Sequence, residues 1–282
     1  MTMPFLITGG TGKTGSRIAK LLWDRGYSVR VGSRRETPSF DWNDKSTWGP
    51  ALDGCGAVYV AFQPDLAVPG ALEIIDDFFR TSMAAGVKRI VLLSGRGEPE
   101  AEDGERALLQ SGADWTILRA SWFNQNFTEA FRDWVVAGKL ALPVPAIPEP
   151  FIDADDIAEV AVAALTQPGH SSKLYELTGP RAIPYAKAIA EIAKATGRDI
   201  TYETISPDAF RALAADAKIP DEYTSLLLYL FSLFDGRNRE TRDGVFEALG
   251  RPARDFSDFV KAEAKRGTWD RQPALATNGA TA

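Results

Sequence analysis

The chain has 282 residues, 45% of them hydrophobic and 25% charged, which is enough to bury a sizeable core in one large domain or one and a half. Its formal charge of −6 and the scatter of its 32 basic residues argue against a protein that holds nucleic acid by neutralising backbone phosphates. No apolar run approaches membrane-spanning length and Cys55 is the single cysteine, so a membrane, an internal disulfide and a metal cluster are all unexpected, and the cytoplasm is the expected location.

Met1-Thr2-Met3-Pro4 leads into a first strand at Pro4–Thr8 rather than into a signal-type segment. A helix follows over Lys13–Arg25, burying Ile18, Leu21 and Leu22 and stopping at Gly26. Strands are predicted at Ser28–Ser33, around Phe40-Asp41-Trp42, at Ala57–Phe62, at Arg89–Ser94 and at Trp115–Arg119. Between them lie helices at Gly70–Ala85, closed by Gly86, and around Glu105–Gln110. Six strands alternating with helices predict a doubly wound parallel sheet of Rossmann type over residues 1–150.

Beyond it the pattern predicts a helix near Phe123–Ala137, a Pro-rich stretch at Pro143–Pro150 and a short strand at Phe151-Ile152. A helix opening at Asp155-Asp156, a strand at Leu174–Leu177 and helices near Tyr185–Thr196, Pro207–Asp216 and Asp221–Phe234 complete it. Strands are too sparse here for a second complete sheet. Residues 151–270 therefore read as a smaller, mainly helical substrate part interleaved with the first domain, and 271–282 as a flexible tail. His170, the single histidine, is expected exposed in the loop Pro168–Ser172.

Gly10-Thr11-Gly12-Lys13-Thr14-Gly15 fits G-x-G-x-x-G, and Gly9, Gly12 and Gly15 also fit G-x-x-G-x-x-G. The pattern alone is weak, but it follows a predicted strand and opens a predicted helix, as pyrophosphate binding requires. A triphosphate-binding loop would need glycine where Ile7 stands. Lys13 adds positive charge near the pyrophosphate or the adenosine phosphate. At the end of the second strand, where NAD-binding turns carry Asp or Glu, stand Ser33, Arg34 and Arg35. Guanidinium groups give bidentate charged bonds to a 2′-phosphate, so the predicted cofactor is NADPH/NADP+, against the alternative of a solvated basic pair of which Glu36 neutralises one member.

The segments GGTGKTGSR, FDW with a later TW, AVYVAFQPDLAVPG, RIVLLS, DWTILRASWFNQNF and FIDADDIAEVA together resemble the NmrA-like group of atypical short-chain dehydrogenases/reductases. Within it the similarity is strongest to the ergot-alkaloid-type reductases, the festuclavine and agroclavine synthases, and it extends to about residue 265. The resemblance implies a Rossmann domain with a small C-terminal part, and NADPH-dependent reduction of an iminium, quinone or related acceptor, in places within secondary metabolism. It also implies the site. Thr8, Gly9, Thr11, Gly12, Lys13 and Thr14 match the phosphate-binding turn, with Gly10 inside it, and Ser33, Arg34 and Arg35 match the ribose grip. Ala61, Phe62 and Gln63 match the border of adenine and ribose. Ser94, Gly95, Ala120, Ser121, Trp122 and Phe123 match the surroundings of the nicotinamide, and Asn126 belongs to the same motif.

None of the seven tyrosines has Lys four residues later, so the usual Tyr-x-x-x-Lys acid/base pair is missing. A ketone reduced by hydride leaves an alkoxide that needs a proton, whereas an iminium or quinone needs less help. The catalytic residues are thus unknown from sequence, with Ser94, Ser121, Trp122, Phe123 and Asn126 as cleft-lining candidates. Phe127 and Phe151 fit equally as aromatic walls or as plain core. Asp153, Asp155 and Asp156 suit helix capping better than catalysis. Glu105 is expected on a solvated helix face, with the cleft as the alternative. Tyr229, Phe231 and Phe234 read as lid, dimer contact or core. The predicted function is an NADPH-dependent oxidoreductase acting on a small imine, iminium, quinone or enone, as a monomer or homodimer. The alternatives are a redox sensor that binds NADP(H) without turnover and an isomerase or epimerase.

Overall fold

A computed structural model describes residues 3–270; the segment 271–282 lies outside the described residues. Strand β1 (Phe5–Thr8) leads through helix α1 (Lys13–Asp24) to β2 (Val29–Gly32), and a short helix α2 (Trp48–Leu52) precedes β3 (Ala57–Val60). Helix α3 (Ala71–Ala84), β4 (Arg89–Gly95), α4 (Pro99–Gln110) and β5 (Asp114–Ala120) continue the alternation. Then come α5 (Arg132–Ala137), β6 (Lys139–Leu142), α6 (Ala154–Thr166), β7 (Lys173–Leu177), α7 (Tyr185–Thr196) and β8 (Thr201–Thr204). The chain ends in α8 (Pro207–Asp216), α9 (Asp221–Ser232), α10 (Gly244–Leu249) and α11 (Phe256–Lys265). Among the described residues no helix is long and apolar enough to cross a membrane.

Six parallel strands form one sheet in the order β2-β1-β3-β4-β5-β7, a Rossmann-like α/β fold. All four residues of β3 are buried, as expected of a central strand covered on both faces. One face packs under α2, α3 and α4 around Leu6, Val58, Phe78, Phe79 and Leu92. The other packs under α1, α6 and α10 around Ile7, Ile18, Leu22, Tyr59 and Val162. The alanines of α6 leave room for α1 to lie directly against it. A third apolar cluster, built on Phe127, Phe151, Tyr185, Phe210 and Phe256, fills the C-terminal part.

Three expectations are corrected. The predicted strand at Phe40-Asp41-Trp42 is an aromatic turn with a lone bridge from Asp41 to Asp44. Its backbone is taken by side chains: Trp48 Nε1 donates to the Asp41 carbonyl at 2.8 Å and Asp41 N–H to Thr47 Oγ1 at 3.0 Å. The sixth strand is instead β7, supplied by the C-terminal half. The helix expected over Phe123–Ala137 is a single 3-10 turn, Asn124–Phe127, and the short α5. Residues 122–124 pair with Ile152, and the Gln125 side chain turns inward to receive the Ala154 N–H at 2.9 Å and donate to Asp153 at 2.9 Å. His170 is 7% exposed, not solvated, and its Nδ1 meets Tyr175 Oη at 2.9 Å. Strands β6 and β8, which form a separate two-stranded ladder, were not foreseen.

Candidate active site

Chain connections leave β1 toward β2 on one side and return to β3 on the other, opening a crevice beyond the carboxyl ends of β1 and β3. The glycine turn sits there. Gly9 adopts φ +59°, a conformation open to glycine at little cost, and its carbonyl accepts the Gly12 N–H at 2.8 Å. A side chain on Gly15 would collide with that same Gly9 carbonyl, so the third glycine lets helix and turn touch. Thr8 Oγ1 receives the Ala61 N–H at 2.9 Å, and Tyr59 donates to Thr14 Oγ1 at 2.9 Å, tying β1 and α1 to β3. No side chain caps α1 at Gly12, so its first N–H groups face the crevice with the positive end of the helix dipole. The cradle between Gly9, Gly12 and the Gln63 amide therefore fits a dinucleotide pyrophosphate.

From this turn a groove of about 470 Å³ runs past Thr11, Ser33, Arg34 and Gln63, with Trp42 on its far wall. Among the described residues neither Arg34 nor Arg35 is ion-paired, and Glu36 does not neutralise them; Arg34 faces the groove, while Arg35 is exposed and does not line it. Pro64 and Tyr223 border both this groove and a second cleft of about 250 Å³. That cleft gathers Lys13, Phe62, Ser94, Gly95, Ala120, Ser121, Trp122, Phe123 and Asn126 from five separate stretches of sequence. Gly10, Thr14 and Ala61 lie behind the turn as support. Helix α9 covers the cleft: Phe231 stacks on Trp122 at 5.3 Å with 15° between rings, and Leu227 and Leu230 line the wall, while Phe234, just past the helix, lies 5.4 Å from Trp122.

Several candidates resolve into structural roles. Phe127 and Phe151 are buried core, packed edge to face at 5.3 Å, and neither lines the cleft. Asp153 caps α6 through the Asp155 N–H, Asp155 pairs with Arg17 at 2.7 Å, and buried Asp156 is held by Arg251 and Arg254. Glu105 is corrected from a solvated residue to a buried one. Ser94 Oγ donates to it at 2.5 Å and Arg119 Nε at 2.9 Å, so the Ser94 hydroxyl is engaged away from the cleft. Ser121 Oγ, by contrast, is buried at the cleft wall beside the Glu149 carboxyl, whose charged form it favours.

Sequence reasoning missed the acidic side of the cleft. Asp65 and Glu98 line it, and Glu149 stands behind Trp122, whose N–H it accepts at 3.2 Å. Burial pushes the Glu98 carboxyl up to about 8, reinforced by the neighbouring Asp65 and Glu100 charges. Burial likewise pushes Glu149 up to about 7, although the Trp122 N–H and Arg96 oppose the shift. The available signal was position: Glu98 lies in the loop Arg96-Gly97-Glu98-Pro99 just beyond the carboxyl end of a strand, where ligands of such sheets lie.

Known proteins resemble this chain over most of its length. The profile of the NmrA-like family matches residues 104–256, and that of an NAD(P)H-binding family matches residues 9–168. An uncharacterized oxidoreductase of Bacillus subtilis is 32% identical, with 93% of this chain and 95% of that protein covered. An NAD(P)H azoreductase of Xenophilus azovorans is 29% identical over 92% of this chain and 97% of its own length. Agroclavine dehydrogenase of Claviceps fusiformis is 30% identical over 92% and 96%, in line with the resemblance read from the motifs. Among solved structures, an NADPH-dependent quinone oxidoreductase of Escherichia coli shares the fold with a TM-score of 0.75 at 21% identity, over 92% of this chain and 99% of that one.

Proposed function

The chain belongs to the NmrA-like family and also matches an NAD(P)H-binding family, and from that premise we propose that it is an NADPH-dependent reductase of small unsaturated organic acceptors. The observation that carries this reading is the adjacency of the groove at Arg34 and the aromatic cleft at Trp122, which share Pro64 and Tyr223 as a common wall. In it the glycine turn and Lys13 hold the pyrophosphate, and Ser33 and Arg34 hold a 2′-phosphorylated ribose, with the exposed Arg35 adding charge beside them. The nicotinamide, which supplies the hydride when bound, is bordered by Ser94, Gly95, Ala120, Ser121 and Trp122.

Two features favour NADPH over NADH: no carboxylate stands at the end of β2, and Arg34 faces the groove without an acidic partner among the described residues. The acceptor lies between Trp122 and Phe123 on one side and Leu227 and Leu230 of α9 on the other. Apolar, aromatic walls suit a flat imine, iminium, quinone or enone and keep water from the reacting carbon. A redox sensor without turnover has no use for such a cleft, which favours the reductase.

The test is NADPH oxidation, followed at its near-ultraviolet absorbance, with a panel of cyclic imines, quinones and enones. Turnover with at least one acceptor class, and a marked preference for NADPH over NADH, is expected. Tight NADP(H) binding with no turnover across the panel would replace the reductase by the sensor.

A further inference from the structure

The missing Tyr-x-x-x-Lys pair leaves the proposed reaction without a proton source for acceptors whose reduction creates an anion. The cleft does contain a carboxyl, that of Glu98. Glu98 lies in the loop between β4 and α4, with its carboxyl pressed against the Cα of Gly95, so tightly that any side chain at Gly95 would overlap it. It borders both the acceptor cleft and a small inner chamber of about 20 Å³, shared with Arg96, Trp122 and Glu149. A chamber of that size has room for a single water molecule.

Among the described residues no cation and no hydrogen-bond donor reaches the Glu98 carboxyl. Arg96, on its own loop, is turned to Glu176 at 3.3 Å and to the Asn238 carbonyl. Lys13 at the cleft mouth pairs with Glu129 at 3.4 Å. The groups that face Glu98 from other elements are acids or phenols: Asp65 after β3, Glu100 on α4, Tyr223 and Tyr229 on α9, and Glu149 across the chamber. Arg239 also borders the chamber. Tyr229 Oη donates to Glu100 at 2.7 Å and is therefore committed elsewhere.

We propose that Glu98 is the general acid of this cleft, protonating neutral acceptors as they are reduced. The inference rests on the reductase reading above. Hydride from the reduced nicotinamide forms a new C–H bond at the acceptor, which gains two electrons while the nicotinamide is oxidised. The acceptor's π electrons move to its oxygen or to the distal carbon of an enone, the O–H bond of Glu98 breaks, and its proton forms the new bond at that atom. The Glu98 carboxylate left behind recovers a proton from solvent, and the inner chamber toward Glu149 offers a path. A carboxyl held up to about 8 by burial and by neighbouring carboxylates is protonated at neutral pH and ready for this step. An iminium needs no proton at carbon, so its reduction is independent of Glu98.

The experiment compares the parent with Glu98→Gln and Glu98→Asp, each checked for unchanged NADPH binding and thermal unfolding. Expected for Glu98→Gln is a loss of about 10²-fold or more in kcat with enones, within the usual range for general acids, and a smaller loss with quinones. With a preformed iminium the change stays within about 2-fold, and Glu98→Asp recovers part of the loss. The alkaline limb of the parent's pH profile for neutral acceptors, centred near 8, disappears in Glu98→Gln. Without substrate, carbon NMR of glutamate-labelled protein shows two carboxyls titrating above the ordinary range, the higher of which is absent in Glu98→Gln. An equal loss with both acceptor classes, no loss with neutral ones, or an ordinary titration of Glu98 overturns the proposal. A parent protein that reduces nothing overturns the reductase reading itself.

Discussion

At the scale of single residues, the cofactor preference turns on charge without a partner. Arg34 borders the groove and Arg35 adjoins it, and neither is drawn into an ion pair among the described residues. Charged hydrogen bonds of this kind each contribute about 1.5–3 kcal/mol when their partner is present. Arg34→Ala combined with Arg35→Ala should weaken NADPH binding by at least about 10-fold, while NADH binding, which lacks the 2′-phosphate, changes little. Fluorescence titration with both nucleotides checks it, and an equal loss for both would show that the pair acts through structure. These arginines were legible because their meaning is positional, fixed by the strand before them. Glu98, Glu105 and Glu149 were not. Their environment is made by residues far away in sequence, so that Glu105 reads as a surface acid until Ser94 and Arg119 are brought onto it. His170 misled for the same reason, since Tyr175 and Thr116 enclose it only after β7 has paired with β5.

At the scale of elements, α9 decides what the cleft can hold. Its Phe231 stacks on Trp122 and meets Phe210 edge to face at 5.5 Å, so it joins the cleft wall to the C-terminal core. Phe231→Ala removes both contacts, and a buried Phe→Ala change costs about 3–5 kcal/mol. The acceptor KM should rise by about 10-fold while NADPH affinity is kept, because Phe231 does not line the dinucleotide groove, to which α9 contributes Tyr223. Urea unfolding and steady-state kinetics test both halves, and an unchanged KM would remove α9 from the site. Elements with a strong local signal were read well from sequence: the fully buried β3, the glycine-stopped α1 and the Ala-rich α6. The failures were segments whose backbone is claimed by side chains, as at Asp41 and Gln125, and the pair β6 and β8. Those two strands are four residues each, with LAL in β6 and alternating polar residues in β8, and only their mutual pairing gives them identity.

For the whole molecule, the sheet and the C-terminal part are joined by a buried charge. Asp156 on α6 is fully buried, receives the Arg254 N–H at 2.7 Å, and pairs with the Arg251 and Arg254 guanidinium groups. Removing both guanidiniums leaves an uncompensated buried carboxylate. Replacing both by Ala should lower stability by about 3 kcal/mol, at the small end of the range for broken buried pairs, because the arginines are themselves partly exposed. A shift of the urea midpoint by the corresponding amount checks it, and an unmoved midpoint would make the contact incidental. The same interdependence appears in β7. Residues 173–177 complete a sheet begun at residue 5, so the edge of β5 stays unpaired until most of the chain exists. During synthesis from the N-terminus, the nucleotide-binding half must wait with an open strand edge and a bare α1 face, a state prone to mispairing between nascent chains. The order of events in making this protein, as much as its final architecture, is thus set by where one five-residue strand falls along the chain.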